Sequence, residues 1–528
     1  MTPLNIDIYA DGADASTGKG KVMTNATETL RGPKRDVILY ELNEVPWRVV
    51  DYYIQRRPDS HMAALLSGGQ SLTTHHDDSA HLSPWRTWPT LHTSTYDHNS
   101  FDLGQDPATF HGDPIWDVAD RAGLSVGIFG PMQSWPARPF RSGGFYIPDT
   151  YSQDSKTYPA SLQKFQQFNL AMNVGLRYSS DAPLKPKALL AESLDLARRG
   201  LTPGSAYTLA AHLASEKRDS RYKARRPALQ PLLAFDLYWR LHRKHRPRLS
   251  IFFTNHVAAM MHRYWGDAMP DYTDSYEYVT DEVYGGFIMT AMDYTDRQLG
   301  RIRKYLAANP QSLLVVAASM GQGPIPTGAF SDRDLFVLEN PARLISRLGL
   351  QSAESALALF PGISLVFGDE AAARESIAPV ESIRTDGGQQ LFSSPVFPRR
   401  REGKTATFTR RTLLPQPPSI KLDADSGQHT LRYRPLGADS ELVGTPVELG
   451  LAVRQRLGGG NTAYHIAEGI LLAYGAGISP DPSRKKVDVL DVSPSLLANV
   501  LNVQPAPTMR GIPSLFAAYS RAMRSEAH

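Results

Sequence analysis

VILYEL (37–42) is the stretch that decides the fold predicted for this chain. It is a short, continuous apolar run, rich in β-branched and aromatic residues, which is typical of a strand buried on both faces of a parallel sheet. The runs with the same character are VGIFG (126–130), LSIFFT (249–254), LLVVAA (313–318) and GILLAYG (469–475). We therefore predict that these five runs are strands of one central, mostly parallel sheet.

Helical patterns lie between these runs. Residues 281–308 are the clearest case, because Ile288, Met292 and Leu299 recur at a spacing of three to four residues or its multiples. The pair Asn309-Pro310 is predicted to end this helix. Strands that alternate with helices indicate an α/β fold with a doubly wound, mostly parallel central sheet between helix layers.

Two stretches interrupt the α/β pattern of this 528-residue chain, which is too long for one ordinary domain. One looks mostly helical and carries basic clusters, and the other is rich in turn formers and alternating runs. The predicted organisation is a mobile N-terminal arm (1–34), a first core segment (35–150), a helical insertion (151–248), a second core segment (249–330), a smaller, partly β insertion (331–459), and a third core segment with the C-terminal tail (460–528).

Composition excludes several classes of site. Lys and Arg exceed Asp and Glu by only 57 − 53 = 4 residues, so charge does not indicate a nucleic-acid partner. The absence of cysteine excludes disulfides, thiolate metal ligands and a cysteine nucleophile. No apolar run approaches the roughly 20 residues of a membrane helix, and the N-terminus lacks the apolar core of a secretory signal. We expect a cytoplasmic protein with no membrane partner; nothing in the sequence indicates an oligomeric state.

Polar side chains cluster where the predicted strands end. The residues concerned are Asn43 and Glu44 after the first run, Asn255, His256 and His262 after LSIFFT, Gln322 after LLVVAA, His465 just before GILLAYG, and Thr87 in SPWRTWPTLHTS (83–94). In open α/β sheets, ligands bind beyond the carboxyl ends of the strands. We therefore expect these distant segments to converge on one site.

The segments that carry these residues also resemble a known family. They are TWPTLHT (87–93), MHRYWGD (261–267), EGILLAYG (468–475) and DVSPSLLANVLNV (491–503). Their order and flanks resemble the alkaline phosphatase superfamily, on the side of the type I phosphodiesterases and nucleotide pyrophosphatases. The resemblance covers residues 35–145, 249–324 and 461–515, and it implies the alkaline phosphatase-like form of the α/β fold.

The resemblance implies a role for each matching position. Thr87 falls at the nucleophile, Asn43 at the first-strand metal ligand, and His262 and His465 at histidine ligands of one ion. Asn255 or Ala258 falls at the aspartate that accompanies the first histidine, and Met320 and Gly321 fall at an aspartate-histidine pair. Neutral amides bring no charge to a dication, and methionine is a soft ligand. We therefore expect a degenerate metal site in which the ion that would activate the nucleophile is absent.

The second ion keeps two histidines and needs a substitute ligand. The candidates are Glu41, Glu44, His256 and the HHDD run (75–78). Strand alternation places Glu41 on the face of Asn43 and turns Glu44 away, unless the strand has already ended. His256 is also a candidate for orienting a neighbouring ligand, whereas a turn is the alternative role for Gln322.

Three functions remain open from the sequence. The first is a hydrolase of phosphoesters or phosphodiesters, or a phosphoryl-type transferase, with at most one divalent cation (Zn or Mn) or none around Thr87. Its substrate would be a small-molecule or glycan phosphoester. The second is a pseudoenzyme that binds a phosphorylated or glycan ligand without turnover. The third is an interaction protein whose insertions carry the function, since a fold does not by itself determine activity.

Overall fold

The computed structural model describes residues 35–77, 82–96, 112–172, 200–326, 334–338, 340–350, 354–356, 363–367, 370–388, 390–393, 410–415, 430–455 and 461–517. The arm predicted for residues 1–34 lies outside them, as do residues 173–199 of the predicted helical insertion and the end of the C-terminal tail.

The strands of the described residues are β1 (Asp36–Leu42), β2 (Gln70–His75), β3 (Val126–Phe129), β4 (Gly144–Ile147), β5 (Leu249–Thr254), β6 (Ser312–Ala317), β7 (Gly321–Pro324), β8 (Asp334–Leu338), β9 (Glu354–Ala356), β10 (Ile363–Val366), β11 (Arg384–Thr385), β12 (Phe392–Ser393), β13 (Arg410–Pro415), β14 (Leu431–Tyr433), β15 (Leu442–Gly444), β16 (Leu451–Gln455), β17 (Ala463–Ile466), β18 (Glu468–Tyr474) and β19 (Asp481–Asp488).

The α-helices are α1 (Trp47–Arg56), α2 (His61–Gly68), α3 (Pro84–Thr93), α4 (Ile115–Arg121), α5 (Gln163–Met172), α6 (Pro203–Arg218), α7 (Gln230–His245), α8 (His256–Ala268), α9 (Tyr272–Ser275), α10 (Glu282–Gly285), α11 (Phe287–Ala308), α12 (Pro341–Arg347), α13 (Glu370–Glu375), α14 (Ile377–Glu381) and α15 (Val492–Ser495). The described residues also contain short 3₁₀ helices and a π-helical turn at Leu496–Leu501.

The central sheet confirms the predicted α/β fold. In the described residues it has eight strands in the order β19-β2-β18-β6-β1-β5-β3-β4. All five apolar runs of the sequence are strands of this sheet. Helix α11 ends at Ala308, so the predicted helix end at Asn309-Pro310 is confirmed as well.

The direction of β18 differs from the simplest expectation. This strand pairs antiparallel with both β2 and β6, whereas the other pairs of the sheet are parallel. Periodicity reports burial and not direction, so an antiparallel strand inside a parallel sheet cannot be distinguished by its apolar run. Because β18 is antiparallel to its neighbours, it begins at the end of the sheet where β1, β5 and β6 reach their carboxyl ends.

Three strands had no clear sequence signal. β2 (QSLTTH) is polar in sequence, β4 (GFYI) is only four residues long, and β19 (DPSRKKVD) is charged and half exposed. β4 and β19 are the two edges of the sheet. Edge strands bury less surface and tolerate charge, so they do not need a continuous apolar run.

Both faces of the sheet are covered by helices. Ile38, Tyr40 and Leu42 of β1 belong to one core cluster, together with residues of α1, α2, α7, α8 and α11. Val37 and Leu39 point into a second cluster that contains residues of α3, α4 and α15. Burying each large apolar side chain contributes roughly 1.5–3 kcal/mol, so β1 is stabilised from both sides, as its continuous apolar run predicts.

The residues between 334 and 455 have a core of their own. Leu344, Phe367, Val380, Leu431 and Leu451 belong to a third cluster, whose buried members all lie between residues 344 and 451. Several short antiparallel strands build this region. Its first strand, β8, pairs with its last strand, β16. Among the residues that the structure describes, no helix combines the length and apolar character needed to cross a membrane.

Candidate metal centre

The first strand ends one residue before the candidate site begins. β1 stops at Leu42, and the Asn43 amide still donates to the Thr254 carbonyl at 3.0 Å. Glu44 then adopts a left-handed backbone conformation with φ of 59°. This conformation costs a non-glycine residue about 1–2 kcal/mol, and such strain is concentrated at functional sites. Because the strand has already ended, strand alternation does not turn Glu44 away from the site.

Two histidines reach Glu44 from different elements. His262 lies in α8, the helix that follows β5, and His465 lies in β17, immediately before β18. Oε2 of Glu44 is 3.0 Å from Nε2 of His262 and 3.4 Å from Nε2 of His465. The Glu44 side chain is only 3% exposed, whereas those of His262 and His465 are 24% and 10% exposed. Solvent therefore has access to the cluster on the side of the imidazoles, whereas the carboxylate is shielded from it.

The backbone fixes which ring nitrogen faces the carboxylate. Nδ1 of His262 lies 3.1 Å from the Ala463 carbonyl, and Nδ1 of His465 lies 3.0 Å from the Leu82 carbonyl. A carbonyl only accepts, so each Nδ1 must donate. This is the arrangement by which proteins orient histidine ligands toward a metal through the other ring nitrogen. Both Nε2 atoms are thus aimed at Glu44.

Charge complementarity is strong within the cluster. Burial by itself would raise the pKa of Glu44, but the charges of His465 and His262 and their hydrogen bonds outweigh it and hold that pKa well below its usual range. Burial likewise opposes the charge of His465, but the Glu44 carboxylate overcomes it and raises the His465 pKa. The imidazoles therefore favour the ionised form of the Glu44 carboxylate, and that carboxylate favours the protonated form of His465.

Gln322 completes the surroundings of Glu44. It stands opposite His465 in the β7–β17 ribbon, and its Nε2 donates to Oε2 of Glu44 and to the Ala258 carbonyl. Its other amide atom, Oε1, is buried and has no hydrogen-bond partner. A buried acceptor left without a partner costs roughly 1–3 kcal/mol, and an oxygen on a residue that already contacts Glu44 fits a further donor to a cation.

Asn43 and Asn255, two of the site residues predicted from the sequence, are hydrogen-bonded to each other. Asn43 donates from Nδ2 to Oε1 of Glu44 at 2.8 Å and to Oδ1 of Asn255 at 2.7 Å. Its Oδ1 accepts from Nε1 of Trp88 at 2.6 Å. Asn43 therefore ties Glu44 to the next strand end and to α3. The amide at this position acts as a donor, which a carboxylate could not do.

Thr87 has an environment unlike that of an accessible nucleophile. It lies one turn into α3, is fully buried, and its Oγ1 is 2.8 Å from Oγ of Ser319. The flanking Trp85 and Trp88 are also buried, so neither ring offers an exposed face on which a sugar could stack. A hydroxyl with no exposed surface cannot attack a bound substrate unless the structure opens.

His256 and Glu41 do not join the cluster. The His256 ring is buried between β5 and α11, where it contacts Thr254 at 2.7 Å and the Ala291 carbonyl at 3.0 Å. Glu41 is buried on the other face of β1 against His92, at 2.6 Å. These contacts of His256 and Glu41 are in the core and not with Glu44, His262 or His465, because the helix and the strand that carry the two side chains turn them inward.

The remaining positions considered for metal ligands are Met320, Gly321 and the HHDD run. Met320 and Gly321, where the resemblance implies an aspartate-histidine pair, are buried and supply no ligand side chain. In the HHDD run, Nε2 of His75 is 3.3 Å from Asp77, and Asp78 lies outside the described residues. Glu44, His262 and His465 form the group of potential ligands found in the described residues, with one ligand atom from each lying within 4.8 Å of the others.

Comparisons with known proteins give matches only among solved structures. Murine ectonucleotide pyrophosphatase/phosphodiesterase 5, the inactive murine protein in complex with AMP, and the human protein each match with a TM-score of 0.40. Each match covers 90% of this chain and 97% of the other, at 10% identity for the murine structures and 12% for the human one. No protein-family model and no curated protein matches the chain. The identities are too low to transfer the role of any residue.

Two contacts of the site had no sequence signal beyond their position next to His465. Tyr464 stacks on the His465 ring with centroids 4.3 Å apart, and Thr462 bonds to the backbone of α8. An aromatic residue and a threonine are common in any β-ribbon, so their types alone do not mark a site. Together, the described residues bring two partly exposed imidazoles and a buried carboxylate together as potential ligands.

Proposed function

We propose that the chain is a hydrolase of phosphoesters that uses one divalent cation, held by Glu44, His262 and His465. The observation that carries this proposal is the convergence of one carboxylate oxygen and two imidazole nitrogens within 4.8 Å. Three protein ligands with further positions left open are typical of catalytic rather than structural zinc sites. Zinc and manganese both accept this mixture of nitrogen and oxygen ligands.

The residues of the chain fit such a cation in three respects. Both rings point Nε2 inward because each Nδ1 donates to a carbonyl. The Glu44 carboxylate is held ionised, and the buried Oε1 of Gln322 lacks a partner. When bound, a divalent cation would supply a Lewis acid for a phosphoryl oxygen. A cation would bind His262 and His465 in their neutral forms, because a ligating imidazole must be neutral.

The class of substrate is proposed from the residues that resemble the alkaline phosphatase superfamily. The segments around Thr87, His262 and His465 lie at one edge of an α/β sheet, which is where such folds bind ligands. Substitution of Asn43 and Met320 for carboxylate ligands supports a single cation rather than two. The substrate would be a small-molecule or glycan phosphoester, and water rather than the buried Thr87 hydroxyl would be the attacking group.

Metal analysis and turnover test the proposal together. Purified protein is expected to retain or bind one equivalent of zinc or manganese and to hydrolyse aryl phosphates or phosphodiesters. The His262→Ala/His465→Ala variant is expected to lose both properties. His61→Ala, which changes an exposed histidine, serves as the matched control and should retain both. Wild-type protein that neither binds these cations nor hydrolyses aryl phosphates, diesters or sulfates would contradict the proposal.

One observation supports a second candidate, a binding protein without turnover. The Glu44 carboxylate already accepts from Asn43 and Gln322 and contacts both imidazoles, so its charge is compensated without a cation. Such a cluster would leave the imidazoles and amides to hold an anion or sugar by hydrogen bonds. Calorimetry with inorganic phosphate and an aryl phosphate distinguishes the two. Binding without zinc uptake or hydrolysis favours the second candidate.

A further inference from the structure

Helix α8 is kinked close to His262, the residue of this helix that belongs to the proposed cation site. Tyr264 has φ of −117° and ψ of 18°, which are not helical values. His262 lies two residues before this kink and Gly266 two residues after it. Sharp kinks in helices have identifiable causes, one of which is the insertion of a neighbouring side chain into the ladder of backbone hydrogen bonds.

The inserted residue is Thr462, which immediately precedes β17. Its amide donates to the His262 carbonyl at 2.7 Å, and its Oγ1 accepts from the Gly266 amide at 3.0 Å. In an undistorted helix those two backbone groups would pair with each other, because they are four residues apart. The Thr462 hydroxyl also donates to the Arg263 carbonyl at 3.1 Å. One residue therefore supplies partners to three backbone groups at the kink.

The same contact joins the two histidines of the cluster. Thr462 is followed by Ala463, whose carbonyl accepts from Nδ1 of His262, and the strand then continues to His465. The backbone position of His465 and the ring orientation of His262 are thus set by one short segment. The two ring centroids lie 5.4 Å apart. A change in the kink would move one ring relative to the other.

We propose that Thr462 is a positioning residue, whose hydroxyl sets the kink of α8 so that His262 and His465 present Nε2 to the same point. This proposal rests on the proposed function for its consequence, which is the affinity for a cation. The residue is only 1% exposed. Its hydroxyl therefore has no competing water, and the two hydrogen bonds it makes cannot be replaced by solvent.

Two substitutions separate the hydroxyl from the shape of the side chain. Thr462→Val keeps the branched side chain and the amide but removes the hydroxyl, and Thr462→Ser keeps the hydroxyl. Thr157→Val is the matched control, since Thr157 is also buried and its hydroxyl donates to the Pro159 carbonyl at 2.8 Å outside the site. All variants are compared with wild type by thermal unfolding, calorimetric titration with zinc, and ring-nitrogen NMR of ¹⁵N-histidine-labelled, cation-free protein. His262→Gln assigns the ring signals.

The expected result is a specific loss in one variant. Loss of a group that orients a metal ligand typically reduces affinity 10- to 100-fold, so we expect a decrease of roughly that size in Thr462→Val. The ring-nitrogen signals of His262 should shift as well, because its contact with the Ala463 carbonyl is disturbed. Thr462→Ser should resemble wild type in both measurements. Thr157→Val should lower the unfolding temperature without changing the zinc affinity or the His262 ring-nitrogen signals.

The positioning role is overturned if the Thr462 hydroxyl affects stability alone. If Thr462→Val is less stable but binds zinc as wild type does, with unchanged His262 signals, then Thr462 is only structural. If wild type binds no zinc, the proposed function fails, and the cation-free NMR comparison decides the positioning role by itself. A shift of the His262 signals in Thr462→Val that Thr462→Ser restores supports it, whereas unchanged signals contradict it.

Discussion

Nε2 of His262 lies 3.0 Å from Oε2 of Glu44, which connects the end of the first strand to the second turn of the helix after β5. The contact depends on the left-handed backbone of Glu44, since an extended residue at this position would continue the strand direction. It also depends on the ring orientation that the Ala463 carbonyl imposes on His262. The contact between His262 and Glu44 is therefore a product of backbone conformation at two separate places, Glu44 and Ala463.

Glu44→Gln is expected to abolish cation binding while the protein remains folded. The substitution keeps the shape of the side chain but removes the charge that two imidazoles face, and neutral amides are poor ligands for a dication. Metal analysis after dialysis against zinc measures the loss, and hydrolysis of an aryl phosphate should decrease with it. Glu468→Gln, at an exposed residue paired with Lys486, is the control. One equivalent of retained zinc in Glu44→Gln would contradict this assignment.

Asn43→Asp is expected to destabilise the cation-free protein. The amide group of Asn43 donates to Glu44 and Asn255, and an aspartate would instead place a second carboxylate beside Oε1 of Glu44. Losing these bonds costs roughly 1–3 kcal/mol in the free energy of unfolding. Zinc should stabilise this variant more than wild type, because the added carboxylate is a ligand.

Chemical unfolding with and without zinc measures both effects of Asn43→Asp. Asn309→Asp provides the control, since it removes an amide that donates to the Tyr305 carbonyl, away from Glu44. The control should lose stability without any additional response to zinc. Equal stability of Asn43→Asp and wild type in the absence of cations would show that Asn43 is not needed as a donor.

Thr87→Val is expected to lower stability and to leave turnover intact. Its hydroxyl is buried against Ser319, so the variant loses a hydrogen bond worth about 1 kcal/mol in the free energy of unfolding. A double-mutant cycle with Ser319→Ala should return a coupling energy of similar size, about 1 kcal/mol. A folded Thr87→Val protein that has lost all turnover would instead identify this hydroxyl as the nucleophile.

The buried ring of His256 predicts a loss of stability in weak acid. Burial lowers the pKa of His256 to about 4, although the Ala291 carbonyl opposes the shift. In the unfolded chain the ring takes up a proton near pH 6.5. Between about pH 6.5 and pH 4 the unfolded state therefore binds more protons, and the free energy of unfolding falls as the pH falls, by about 3 kcal/mol in total from this residue.

His256→Gln measures that contribution. The variant is expected to be less stable at pH 7, because buried hydrogen bonds change, but its stability should depend less on pH between about 6.5 and 4. Urea unfolding across this range, with His61→Gln as the exposed control, gives the slopes. Parallel curves for wild type and His256→Gln would mean that the ring does not stay neutral in the folded protein.

Local sequence predicted five of the eight described strands of the central sheet and the polar residues that stand near the ends of those strands. A strand buried on both faces needs a continuous apolar run, so VILYEL and the four similar runs identify strands whatever surrounds them. Asn43, Glu44, Asn255 and His465 follow or precede these runs directly, which places them at the sheet edge once the strands pair. The polar and charged strands β2 and β19 lacked this signal because they need little apolar burial.

By itself, the sequence determined where strands end and which polar residues stand there. Only the tertiary structure decided where those side chains point. Glu44 turns toward the histidines, whereas His256, one residue beyond Asn255, turns into the core against α11. The physical reason is that alternation orients side chains only within a strand. Beyond its end, backbone dihedrals and distant partners such as Thr462 and Ala463 set the direction, and those contacts exist only in the folded chain.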